Sequence, residues 1–203
     1  MTRHVYAVDG WGVGELWVDG SVVVAHELPQ PGRKVAAAAP EAGTAARGIG
    51  AQAREIGAGA REVGVGAPTG GAKPPLGTLS SPGANERDAF VSDLCRRFHS
   101  HFGGERVSYE DVDVDLSWCS PFQAELARAL QAVPWGEVVS YGELAALAGR
   151  PGAARAAGSF CAQNRFALIL PCHRVVAADG IGGYGMSGVE RKRRLLALEG
   201  VSL

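Results

Sequence analysis

Between about residue 31 and residue 84 the composition collapses toward Ala, Gly and Pro, and this stretch limits what the rest can fold into. A glycine inside a helix costs about 1 kcal/mol relative to alanine, so glycines at this density argue against a stable helix. The near-repeat Ala53-Arg54-Glu55-Ile56-Gly57 and Ala60-Arg61-Glu62-Val63-Gly64 has too few copies for a solenoid. The stretch is expected to be a flexible insertion without chemistry. The core must then come from the flanks, and a chain of 203 residues with 46% hydrophobic content can supply one.

On the N-terminal flank, residues 4–28 alternate apolar and polar positions. An Asp-Gly turn in Val18-Asp19-Gly20-Ser21 separates Gly14–Val18 from Val22–His26, which predicts a β-hairpin. Phe90, Leu94, Phe98 and Phe102, with Val91 and Cys95 beside them, form one apolar stripe at helical spacing over 86–103. Val112, Val114 and Leu116 alternate with Asp113, Asp115 and Ser117 as a short strand. Residues 1–118 thus read as a small α+β unit carrying the insertion.

From Cys119 to the end the sequence changes to punctuated helices. Ser120-Pro121-Phe122-Gln123 combines an N-cap, a proline at the first helical position and a capping-box Gln. Ser140-Tyr141-Gly142-Glu143 is a second capping box, opening a helix that stops at Gly149, and Ala153–Ala162 offers a third helix of small residues. Two short helices joined by a brief Gly-containing turn outline a helix-turn-helix. Ser187-Gly188-Val189-Glu190 reads as another capping box ahead of the basic helix Arg191–Leu198, which Gly200 ends.

Residues 120–203 hold nine Lys/Arg against six Asp/Glu, so the basic surface lies there although the whole chain has a formal charge of −1. No apolar run approaches the ~20 residues of a membrane span, and no secretory signal opens the chain, so a cytoplasmic protein without membrane partners is expected. Cys95, Cys119, Cys161 and Cys172 form no C-x-x-C pair and no zinc spacing with His; thiols without metal or disulfides are expected.

The chemistry is concentrated in Asn164–Val176. Phe166–Leu170 is an uncharged apolar run that must lie in the core, and Pro171 ends it just before Cys172, His173 and Arg174. The run reads as a rigid stem presenting Cys172 from the interior. A thiol reacts as its thiolate, and His or Arg nearby lowers a pKa that starts near ~8.5. Neighbouring side chains on an extended stretch point apart, so a water bridge between Cys172 and His173 is expected instead of direct contact. Taken alone, a Cys-His pair is more often a buried thiol beside a satisfied imidazole, and Tyr141 is as readily an exposed hydroxyl at a helix start.

Pro171-Cys172-His173-Arg174-Val175 resembles the active-site signature of the O6-alkylguanine-DNA alkyltransferases, also called methylated-DNA–protein-cysteine methyltransferases. Pro121-Phe122-Gln123, the run from Pro134 to Ala145, Ala153-Ala154-Arg155-Ala156-Ala157-Gly158, Asn164, Arg191-Lys192, Leu195-Leu196 and Glu199-Gly200 follow in the family order, so the resemblance covers about 119–200. It implies an α+β protein with two domains. Residues 1–118 would form a small ribonuclease-H-like sheet-and-helix domain, and 119–203 a mostly helical DNA-binding domain with a helix-turn-helix.

The implied activity is direct reversal of damage: O6-methylguanine is flipped out of duplex DNA and its methyl group passes irreversibly to Cys172, once per molecule. O4-methylthymine remains open as a second substrate. By the same resemblance His173 is the water-mediated base, Glu199 orients it, Asn164 braces the turn that holds the cysteine, and Tyr141 helps rotate the nucleotide and protonates the leaving guanine. Ala153, Ala154, Ala156, Ala157 and Gly158 would press a helix into the minor groove while Arg155 fills the space of the extruded base. Pro171, Val175, Tyr184, Gly185 and Ser187 would line the alkyl pocket. No cofactor or metal is implied, and the partner is duplex DNA carrying alkylated guanine, bound by a monomer.

The chain departs from the family at Asn164-Arg165-Phe166-Ala167, where a proline commonly follows the Asn. Leu198 also stands where a His is frequent. A non-catalytic sensor of alkylated DNA would lack the cysteine, a Cys-His hydrolase would need an oxyanion site and a distant His, and a plain regulator would have no use for the Pro-Cys-His-Arg run.

Overall fold

Three antiparallel strands open the chain in the computed structural model, which describes residues 1–33 and 84–203. Strands β1 (Thr2–Val8), β2 (Gly12–Asp19) and β3 (Val22–Gln30) form a meander in the order β1-β2-β3. The predicted hairpin is β2-β3. Its turn sits at Gly20-Ser21, one residue later than the Asp-Gly pair suggested, because Asp19 still pairs with Val22 and Gly20 takes the left-handed φ of +62°. The long alternating run conceals the break that sets β1 apart, at residues 9–11. Tyr6 of β1 lies opposite Gly14 of β2, and a Cβ at Gly14 would come within 2.5 Å of the Tyr6 ring. Only glycine leaves room for that ring.

Helix α1 (Ala84–Phe102) carries the expected stripe: Leu94 and Phe98 are fully buried, with Val91 and Phe102 beside them. The Phe98 ring stacks on His26 of β3 at 4.2 Å between centroids and on Tyr6 at 5.2 Å. The predicted strand at 112–116 is reduced to one bridge, Val114 to Val23, held by Val23 N to Asp113 O and Asp115 N to Val23 O. It cannot lengthen because the Asp115 side chain takes the Ser117 amide and the Cys119 amide turns back to Leu116 O, curling the backbone away from β3.

Helices α2 (Pro121–Gln131) and α3 (Tyr141–Leu147) both begin with complete capping boxes, Ser120 with Gln123 and Ser140 with Glu143. Helix α4 (Ala154–Ala162) follows after the turn at 148–153. Strands β4 (Val139–Ser140) and β5 (Val175–Val176) pair in parallel, tying the start of α3 to the segment just after Cys172. The third predicted capping box does not form. Helix α5 (Val189–Leu198) has Gly188 as its N-cap, at φ +79°, while Ser187 closes a 3-10 turn through its amide to Tyr184 O.

Phe166, Leu168, Ile169 and Leu170 are buried as expected, but they fold back as a turn, with Leu170 N on Phe166 O, instead of forming a stem. One core joins Leu16 and Val23 of the sheet, Phe98 of α1, Leu126 and Leu130 of α2, Leu144 of α3 and Phe160 of α4 to this turn. Each such side chain contributes on the order of 2 kcal/mol by leaving water. The predicted insertion, apart from 31–33 and 84, and its near-repeat lie outside the described residues. Among those described, no helix is long and apolar enough to cross a membrane.

Candidate active site

Cys172 opens a 3-10 turn, Cys172–Arg174, directly after Pro171. The residue as a whole is 8% exposed. The turn before it is held by one side chain. Asn164 accepts the Phe166 amide on Oδ1 at 2.9 Å and donates through Nδ2 to Leu170 O at 2.8 Å and to Cys172 Sγ at 3.0 Å. Leu168 sits within this turn at φ +69°, a conformation that costs an L-residue about 1 kcal/mol or more. Burial raises the Cys172 pKa. The Asn164 hydrogen bond and the nearby Lys192 ammonium work in the opposite direction without overcoming it. The resting sulfur is therefore a thiol that these two groups prepare for ionisation.

His173 is fully buried, its Nε2 2.8 Å from Glu199 Oε1. A carboxylate only accepts, so Nε2 carries the hydrogen and Nδ1 of the neutral ring is the free base. That Nδ1 is buried without a hydrogen-bond partner. Burial pushes the His173 pKa down more than Glu199 pulls it up, keeping the ring neutral and ready to accept a proton. No hydrogen bond joins Cys172 to His173 among the described residues, because neighbours in a 3-10 turn project in different directions.

Glu199 follows α5 and gathers the groups around it. Arg174 Nε lies 2.9 Å from Oε2 and Nη2 3.0 Å from Oε1, and the Gly136 amide donates to Oε2 at 3.2 Å. Burial alone would raise the Glu199 pKa, but the hydrogen bonds from His173 and Arg174, with the Arg174 charge, win and hold it at about 2. Arg174 also donates to Val133 O at 2.6 Å. His101 of α1 adds a second buried imidazole, with Nε2 3.7 Å from Glu199 Oε1 and neither ring nitrogen hydrogen-bonded. His101, His173 and Glu199 have atoms of metal-ligand type within 4.8 Å of one another. The Arg174 guanidinium already neutralises both carboxylate oxygens, so a cation placed there would face a fixed positive charge.

A pocket of about 170 Å³ opens onto the sulfur, lined by Tyr141, Gly158, Cys161, Cys172, Tyr184 and Gly185 among others. The Tyr184 hydroxyl is buried beside the thiol without good hydrogen-bond geometry to any partner.

Residues 121–201 match the family model described as 6-O-methylguanine DNA methyltransferase, DNA binding domain. A methylated-DNA–protein-cysteine methyltransferase of Mycolicibacterium paratuberculosis is 43% identical over 121 residues, which is 59% of this chain and 72% of that protein. The chain belongs to the methylated-DNA–protein-cysteine methyltransferase family. The Mycobacterium tuberculosis member is 46% identical over 104 residues, covering 51% of this chain and 61% of its own length. The crystal structure of Mycobacterium tuberculosis OGT in complex with DNA is 29% identical, with a TM-score of 0.60 over 98% of this chain and 92% of that one. The mixed α/β architecture with a small antiparallel sheet is thus that of solved members of the methyltransferase family.

Within this methyltransferase, the five residues expected around the reaction stand close together: Cys172, His173, Glu199, Asn164 and, on the pocket wall at the start of α3, Tyr141. Of the expected pocket residues, Tyr184 and Gly185 line it. Pro171 faces a different pocket of about 240 Å³ with Leu168 and Trp135, Val175 is buried in the β4-β5 pair, and Ser187 is used by the turn before α5. On α4, Arg155 and Ala156 are exposed, Ala154 and Gly158 are half-buried like the N-cap Ala153, and Ala157 faces the core.

Sequence reasoning missed Cys161 on the pocket wall and Lys192, whose fully buried ammonium donates to Val175 O at 2.5 Å and Gly183 O at 3.2 Å. The signal for Lys192 was its spacing of three and four from Leu195 and Leu196, which puts it on the apolar face of α5.

Proposed function

We propose that this protein repairs DNA by direct reversal, taking the methyl group of O6-methylguanine onto Cys172 in a single irreversible turnover. The observation that carries this reading is the Cys172 sulfur on a pocket wall, held by Asn164 and followed by a buried His173–Glu199 pair with one basic nitrogen free. The thiol proton passes through a water to His173 Nδ1, and Glu199 stabilises the resulting imidazolium. Sulfur attacks the methyl carbon in line as the carbon–O6 bond breaks, and the Tyr141 hydroxyl gives its proton to the departing guanine. A thioether and a normal guanine remain. No step draws on a cofactor.

Helices α3 and α4 are read as a helix-turn-helix whose second helix enters the minor groove, with Arg155 replacing the flipped base. The exposed Arg155 and Ala156, the small side chains beside them and the absence of any acidic residue on α4 support this. The β-β-β-α order of the N-terminal part supports a ribonuclease-H-like description for 1–118, with 119–203 as the DNA-binding part. The working state is read as a cytoplasmic monomer on duplex DNA.

Intact-mass spectrometry after incubation with an O6-methylguanine duplex should show one added methyl, mapped to Cys172 and lost in Cys172→Ser. An unchanged mass, or a methyl on Cys95, Cys119 or Cys161, refutes the reading.

A further inference from the structure

We propose that His26, on strand β3 and remote in sequence from the reacting cysteine, is a positioning residue that clamps the turn carrying Asn164 and Cys172. This inference rests on Cys172 being the methyl acceptor. His26 reaches the turn twice: its amide donates to Arg165 O at 2.7 Å, and its Nδ1 lies 2.5 Å from Ala167 O. A carbonyl only accepts, so Nδ1 carries the hydrogen, and Nε2 must then accept from the Tyr6 hydroxyl at 2.5 Å. Burial depresses the His26 pKa to about 4, so this neutral tautomer persists at working pH. Every polar atom of the buried ring is thereby committed, and Phe98 stacks flat against it.

The clamped carbonyl belongs to the peptide leading into Leu168, the one non-glycine residue at positive φ among those described. No proline stiffens the chain between Asn164 and Leu170. The same turn hands the constraint onward, through Leu170 N to Phe166 O and through Asn164 to both Leu170 O and the sulfur. An apolar side chain would fill the space against Phe98 without the cost of burying an imidazole, so the ring's use lies in its hydrogen bonds. Pairing of His26 with Phe166 also covers the free edge of β3 at this point.

Three variants separate the donor from the packing. His26→Phe keeps the stack and loses the bond to Ala167 O. His26→Asn keeps a donor at the Nδ1 position, and His26→Gln moves it to the Nε2 side. With a methylated duplex at saturation, His26→Phe and His26→Gln should slow transfer about ten- to a hundredfold while DNA affinity stays within about twofold, and His26→Asn should recover most of the rate. The same order should appear in the rate at which iodoacetamide modifies Cys172 without DNA, read by peptide mapping. Equal transfer rates for the Asn and Gln variants, or a His26→Phe rate within about twofold of wild type, overturn the clamp. If wild-type protein takes no methyl group, the repair reading falls, and the iodoacetamide series still decides whether His26 governs the thiol.

Discussion

Lys192 is a charged side chain with no exposed surface, and both its partners are carbonyls that frame the site: Val175 just after the Cys172 turn and Gly183 in the loop over the pocket. Replacing it by methionine keeps the length and removes the charge that favours the Cys172 thiolate. Transfer by Lys192→Met should be about tenfold slower at pH 7 and should recover as pH rises, a shift visible in the pH profile of single-turnover rates. Glu199→Gln should be harsher. It leaves Arg174 buried without its counter-charge, so a loss of about 3 kcal/mol in denaturant melts should accompany the loss of transfer. The site was legible where chemistry and motif coincide, at Cys172, His173, Asn164 and Glu199. His101 and His26 were not, because each meets its partner across a long loop of chain and carries no local pattern.

The helices show which sequence signals can be trusted. Ser120 and Ser140 each accept the amide of the residue three positions on, and Ser187 does not. Ser120→Ala and Ser140→Ala should each cost about 1 kcal/mol, whereas Ser187→Ala should stay within about 0.5 kcal/mol, as measured by urea titration. Ser140→Ala should also slow transfer, since Tyr141 begins the helix that this cap fixes. The capping-box pattern at 187–190 misleads because Gly188 takes over as N-cap in a conformation closed to serine. The two-residue strands β4 and β5 leave no periodicity to read, and the alternation at 112–116 reflects the buried Val112 and the turn-forming Asp115 instead of a full strand.

Across the whole molecule, acid sensitivity follows most strongly from two of the imidazoles that burial keeps neutral, His26 at about 4 and His101 at about 3. Below about pH 6.5 the unfolded chain binds protons on these rings that the folded chain refuses. Their contribution to stability is therefore complete above that value and drains away as pH falls toward 4, at about 1.4 kcal/mol per pH unit for each ring. Urea midpoints at pH 7, 6 and 5 should fall in that order, and His101→Phe should flatten the decline.

The enclosure of the sulfur has one more outcome. A molecule that reacts once and is not restored is wasted by every stray encounter with peroxide or a soluble alkylating agent. A buried, protonated thiol reacts with both only slowly. The same walls that slow the reaction with small molecules keep the single opportunity for a base that fits between Tyr141 and Tyr184.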